Sequence, residues 1–144
     1  MKKLFMAYIL FLLSISCSAP IYNQFPIINY EPIKYDGTLL AIMRVESNFN
    51  PYAINIKENA VGILQIRPVM VKEVNKIQKK LNKKEFFTLE DRYDSLKSVK
   101  MYYIVQKYHN PTSNPKLSAR LWNGGTVKYL AQTEKYWDKV KQFL

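Results

Sequence analysis

TLLAIMRVES, residues Thr38 to Ser47, decides how this chain is read, because it sets one carboxylate on an apolar helical face. At helical period Leu39, Ile42 and Met43 share a stripe, and Glu46 falls on that stripe, following Met43 by three residues and Ile42 by four. An acid belongs on the solvated face unless something requires it inside. Its place near the C-terminal end of the helix, where the macrodipole is negative, adds to the penalty that burial puts on charge. Both effects raise a carboxyl pKa. A carboxylic acid still protonated near neutral pH is what general-acid catalysis needs. The competing reading is an ordinary helix-end glutamate whose tip reaches water.

Working outward, Asp36 offers an N-cap for this helix. Pro51 offers a stop, since the residue before a proline is disfavoured in α conformation. Pro68 suits the first position of a second helix to about Leu81, with Met70, Val74, Ile77 and Leu81 on one face and Lys72, Lys76, Lys79 and Lys80 on another. Thr88 to Asp91 reads as a capping box. Asp94 is a further cap, for a helix from Ser95 to about Tyr108 that buries Leu96, Val99 and Tyr103. Pro115 opens a short helix that stops at Asn123-Gly124-Gly125. The last helix carries Leu130, Thr133, Trp137, Val140 and Leu144. No period-2 alternation and no hairpin dipeptide stand out. The expected class is mainly α, with at most a very small β element.

The chain has 144 residues, enough for one domain and its core. Lys2 and Lys3 precede an apolar run from Leu4 to Ile15 and then small residues, which is the layout of a secretory signal and short for a membrane span. Residues 1–18 are therefore expected to be a signal peptide or N-terminal anchor, and residues 19–35, with Pro20, Pro26 and Pro32, an extended lead-in. Residues 36–144 form the domain. Cys17 is the only cysteine, so an intrachain disulfide is impossible, while its place after the apolar run allows lipidation and membrane attachment. The expected location is the cell envelope, periplasmic or membrane-anchored, or outside the cell. A net charge of +11, or +9 without the two leading lysines, calls for an acidic partner. No zinc-finger spacing, RNA-binding signature or basic arm supports nucleic acid, so an anionic wall or membrane surface fits better. A monomer is expected.

His109 is the only histidine, and the domain has no cysteine, which leaves zinc too few ligands and removes Ser-His-Asp and Cys-His chemistry. A structurally bonded or solvated helix-end role is expected for His109. There is no glycine-rich phosphate loop, and no metal or cofactor is expected. Carboxylate acid-base chemistry remains, with glycoside cleavage its commonest form. Of the two tryptophans, Trp137 lies on an apolar stripe and is assigned to the core, while Trp122 stands beside a turn, where it can reach a cleft.

Four segments resemble one family in order and spacing. Glu46-Ser47-Asn48-Phe49-Asn50-Pro51-Tyr52-Ala53 resembles the ES-x-F-x-P-x-A motif of the lytic transglycosylases with an SLT domain, which have a lysozyme-like fold. Ala60 to Pro68, AVGILQIRP, is similar to the second motif, A-x-G-L-M-Q-x-M-P. Leu121 to Gly125, LWNGG, is similar to the third, A-Y-N-x-G. Thr133 to Val140 resembles the C-terminal T-x-x-Y-x-x-x-V, with Tyr136 in the tyrosine place. The four together span nearly the whole expected domain.

The resemblance implies cleavage of the β-1,4 bond between N-acetylmuramic acid and N-acetylglucosamine in peptidoglycan strands. Glu46 matches the family's single catalytic acid, and the implied product is a 1,6-anhydromuramyl end. Gln65 matches a glycan-binding glutamine, and Trp122 and Asn123 match a Tyr-Asn pair facing the acid, so the implied substrate-binding set is Gln65, Arg67, Trp122, Asn123 and Tyr136. The chain departs from the pattern in four places. Trp122 replaces tyrosine and can donate through its indole N–H but cannot accept. Arg67 and Leu64 replace methionines, and Asn59 stands where glycine is common. Two alternatives stay open: a hydrolytic lysozyme using Glu58, Asp91 or Asp94 as its second carboxylate, and a non-catalytic wall-binding protein on the same scaffold.

Overall fold

The computed structural model describes residues 35–125 and 132–144. The signal and lead-in expectations, Cys17 and Leu130 lie outside the described residues. Five α-helices and one two-stranded sheet are present among those described. Helix α1 is Gly37–Ser47, α2 Pro68–Lys80, α3 Ser95–His109, α4 Pro115–Gly124 and α5 Glu134–Val140. The strands β1, Ile54–Asn55, and β2, Ala60–Val61, pair antiparallel with Ile54 opposite Val61. The architecture is mainly α and lysozyme-like, as the motifs led us to expect.

The caps act where the sequence puts them. An Asp36 carboxylate oxygen accepts the Leu39 N–H at 2.7 Å, and Asp94 accepts those of Leu96 and Lys97 at 2.8 and 3.0 Å. Asn114 caps α4 through the Leu117 N–H. Each satisfies donors that a helix start leaves open. The capping box at Thr88 forms, with the Thr88 N–H on Asp91 at 2.7 Å, but it opens only a 3-10 turn at Glu90–Tyr93.

Three expectations need correction. Helix α1 ends before Pro51 can act, because Asn48 and Phe49 both turn left-handed (φ 53° and 64°) and their N–H groups close on Arg44 and Met43. Helix α3 buries Ser98, Val99, Met101, Tyr102, Val105 and Gln106 and leaves Leu96 59% exposed. Its buried face is set by what packs on it, with α2 on one side and α4 on the other. Leu81 and Leu144, expected on buried stripes, are exposed, whereas Val74, Ile77 and Val140 are buried as expected.

The core joins Leu39, Ile42 and Met43 of α1 to Val74 and Ile77 of α2, Val99 and Tyr102 of α3, and Trp122 of α4. α1 packs against α4 and α5, so both ends of the chain meet at the end of α1 that carries Glu46. Trp137 packs against this core from outside, half-buried.

Between α1 and α2 the chain makes two tight turns. Val61 and Ile66 exchange backbone hydrogen bonds at 3.3 and 2.9 Å around a turn whose ends, Gly62 and Gln65, have φ of 80° and 47°. Gly62 has to be glycine here, since a Cβ would collide with the Arg92 carbonyl oxygen. Asn59 is also left-handed (φ 50°), a conformation that asparagine tolerates where glycine is otherwise favoured. The buried Arg92 guanidinium ties the two turns together, donating to the carbonyls of Asn59 at 2.9 Å and Ile66 at 3.2 Å. No signal in the sequence marked Arg92 for this task.

Candidate active site

A cleft of about 600 Å³ runs between α2, the turns after β2 and the C-terminal end of α4. Glu46 reaches it from the last turn of α1, half-buried. The neighbouring Ser47 hydroxyl donates to the Ile63 carbonyl at 2.8 Å, which fastens the helix end to the turn that carries Gln65. From the far end of the chain the Tyr136 hydroxyl donates to Glu46 Oε1 at 2.7 Å.

Burial pushes the Glu46 carboxyl up to about 7. The Tyr136 hydrogen bond and the Arg67 and Lys139 charges pull the other way, while the Glu58 charge adds to the rise. Desolvation wins because the side chain opens to the cleft on one side only. Tyr136 is itself held protonated, first by its burial and then by the Glu46 charge, so it remains a donor.

The remaining expected site residues divide. Gln65 lines the cleft, but its amide nitrogen donates to the Ala53 and Gly62 carbonyls, each at 3.0 Å. Both protons are thereby engaged, and only its oxygen can serve a ligand. Arg67 lines the cleft at the N-cap of α2, donates to the Asn123 carbonyl at 3.0 Å and lies 3.8 Å from Glu58. Asn123 is exposed at the cleft mouth. Trp122 is 4% exposed, and its indole N–H is spent on the Leu64 carbonyl at 3.2 Å. Its ring meets Tyr102 edge-on at 5.3 Å, so it forms the cleft wall and its donor points inward. Tyr136, expected among the glycan-binding groups, gives its hydroxyl to Glu46.

Of the three carboxylates weighed as a partner for Glu46, only Glu58 shares the cleft. Asp91 and Asp94 are taken up by the backbone of the Thr88 turn and by the start of α3. His109 also lines the cleft, structurally bonded: its Nε2 lies 3.1 Å from Glu73 Oε1. Lys72 and Lys76 line the α2 side. Sequence had placed them on a solvated face, and nothing local distinguished the two that meet a cavity. Among the described residues no helix is long and apolar enough to cross a membrane.

One half-buried acid titrating near neutrality, at a helix end in the cleft of a mainly α domain, defines a lysozyme-like site. The chain belongs to the Transglycosylase SLT domain family, whose profile matches residues 34–141. Among its relatives, the Membrane-bound lytic murein transglycosylase C of Photorhabdus laumondii is 40% identical over 48 residues. That stretch covers 31% of this chain and 13% of the relative, so the chain matches a small part of that protein. No solved structure matches the chain.

Proposed function

We propose that this protein is a peptidoglycan lytic transglycosylase that cleaves the β-1,4 bond between N-acetylmuramic acid and N-acetylglucosamine, with Glu46 as its acid and base. The observation that carries the reading is the Glu46 carboxyl, raised to about 7 beside an open cleft and held by Tyr136. Such a group is half protonated near neutral pH and can both give and take a proton.

In the first step Glu46 protonates the glycosidic oxygen, and the bond from the muramyl C1 to that oxygen breaks. The Glu46 carboxylate then accepts the proton of the muramyl C6 hydroxyl, whose oxygen bonds to C1. The acid is regenerated, no water is consumed, and a 1,6-anhydromuramyl end remains. Tyr136 orients the carboxyl. The Gln65 oxygen, Arg67 and Asn123 hold the glycan, and Trp122 shapes the wall beneath it. The basic surface and the apolar run at residues 4–15 fit a protein delivered to the cell envelope.

One observation favours a second reading, hydrolysis. Glu58 lies in the same cleft and its charge acts on Glu46, which gives water a carboxylate to be activated by. Mass spectrometry of digested sacculi separates the two. Anhydro ends from wild type, absent with Glu46→Gln, support transglycosylation. Reducing ends that disappear with Glu58→Gln would replace it by hydrolysis.

A further inference from the structure

The cleft has a basic side that the proposed chemistry does not use. Lys72 and Lys76 both line it from α2, and with four residues between their positions they stand about 6 Å apart along the helix. Arg67, at the N-cap of the same helix, begins the row. Two carboxylates besides Glu46 face these three cations. Glu58 is 3.8 Å from Arg67, and both side chains are well exposed, which makes a loose pair. Glu73 is engaged by His109 at 3.1 Å and lies 3.8 Å from Lys76. Lys72 makes no ion pair among the described residues. Lys79 and Lys80, on the same helix, do not line the cleft, and Lys80 lies over the Tyr108 ring at 5.3 Å.

Cations along a cavity wall select for anions in the ligand. The N-acetylated sugars of the glycan are neutral and give a lysine no counter-charge. The peptide stems attached to the muramyl residues carry free carboxylates. A stem leaving the glycan beside Glu46 would run along α2, where successive carboxylates can meet successive cations.

We propose that Lys72 and Lys76, continuing from Arg67, form a subsite for the carboxylates of a stem peptide, so that the protein favours glycan still carrying acidic stems over glycan stripped of them. This rests on peptidoglycan being the substrate, and it adds which form of peptidoglycan is chosen.

Calorimetry on the full chain carrying Glu46→Gln tests the subsite without turnover. Three ligands are compared: a disaccharide bearing a stem peptide with free carboxyls, the same compound with its carboxyls amidated, and the bare disaccharide. The free-carboxyl ligand should bind roughly fivefold more tightly than the amidated one, as expected for two exposed charge pairs. That preference should shrink as salt rises. Adding Lys72→Gln and Lys76→Gln together should abolish it, while adding Lys79→Gln should leave it intact. Equal affinity for the free and amidated ligands overturns the subsite, as does a preference that Lys79→Gln lowers as much as the cleft pair does. Cleavage is scored separately with the wild-type chain. Carboxylate-selective binding without cleavage keeps the subsite and removes the enzymatic reading, and cleavage without that selectivity does the reverse.

Discussion

The Tyr136 hydroxyl and Glu46 Oε1 lie 2.7 Å apart, joined across ninety positions of sequence. The bond is a compromise between two demands on one carboxyl. Burial favours the protonated acid, and a donated hydrogen bond favours the carboxylate. The balance settles at about 7, where both forms are populated at neutral pH.

Glu46→Gln tests the acid directly. The amide keeps the shape and leaves Tyr136 an acceptor, but it has no proton to give. Cleavage should fall by about 10²–10⁴. Stability should move the other way. A carboxyl whose folded pKa is about 7, against 4.5 unperturbed, costs the fold free energy as pH rises above 4.5, and the cost is complete above 7. The variant should thus be more stable by roughly 1–3 kcal/mol at pH 8 and gain nothing at pH 4. Denaturant melts at the two pH values check this. An inactive variant that is less stable at pH 8 would refute the pKa argument while sparing the catalytic one.

Tyr136→Phe removes a group that lowers the Glu46 pKa. The carboxyl should then hold its proton to higher pH, and the alkaline limb of the kcat/KM profile should shift upward. Some rate will be lost because the carboxyl is less well oriented, but far less than in Glu46→Gln. A limb that stays in place, or moves toward acid, would show that Tyr136 does not tune Glu46.

Gln65→Ala should damage both fold and function. Its amide nitrogen holds two backbone carbonyls, so the truncation should cost about 1–3 kcal/mol, read as a lower melting temperature. The lost acceptor should appear as a raised KM on glycan. Gln65→Glu separates the two effects, since it retains oxygen acceptors but cannot donate to those carbonyls. A Gln65→Ala variant with unchanged KM would confine Gln65 to the fold.

Gly62→Ala should be more damaging than its size suggests. The left-handed φ alone costs about 1–3 kcal/mol, and the new Cβ would strike the Arg92 carbonyl. That carbonyl belongs to the residue whose guanidinium pins both turns, so the cleft wall should distort as well. Melting temperature and glycan affinity should fall together. A variant that melts like wild type would show that the turn is not as constrained as its geometry indicates.

Much of this was legible in the sequence because the signals are local. Asp36, Asp94, Pro68 and Pro115 mark helix starts through bonds or dihedral limits within a few residues. The order of the ES, AVGILQIRP, LWNGG and C-terminal segments fixed the lysozyme-like class. Helical period put Glu46 on an apolar stripe before any contact was known, because 3.6 residues per turn is a property of the backbone itself.

Tertiary packing decided the rest. Period alone could not tell that α3 buries Met101 and Tyr102 rather than Leu96, since the buried face depends on the helices packed against it. It could not tell that Trp122 turns its N–H to Leu64 beneath the cleft, or that Glu58 shares the cavity while Asp91 and Asp94 serve as caps. Nor could it join Tyr136 to Glu46. The sequence determined which carboxyl would be pressed against an apolar face. How far its pKa rises was decided only when α5 closed on α1, because desolvation and a hydrogen bond ninety residues away act through space and not along the chain.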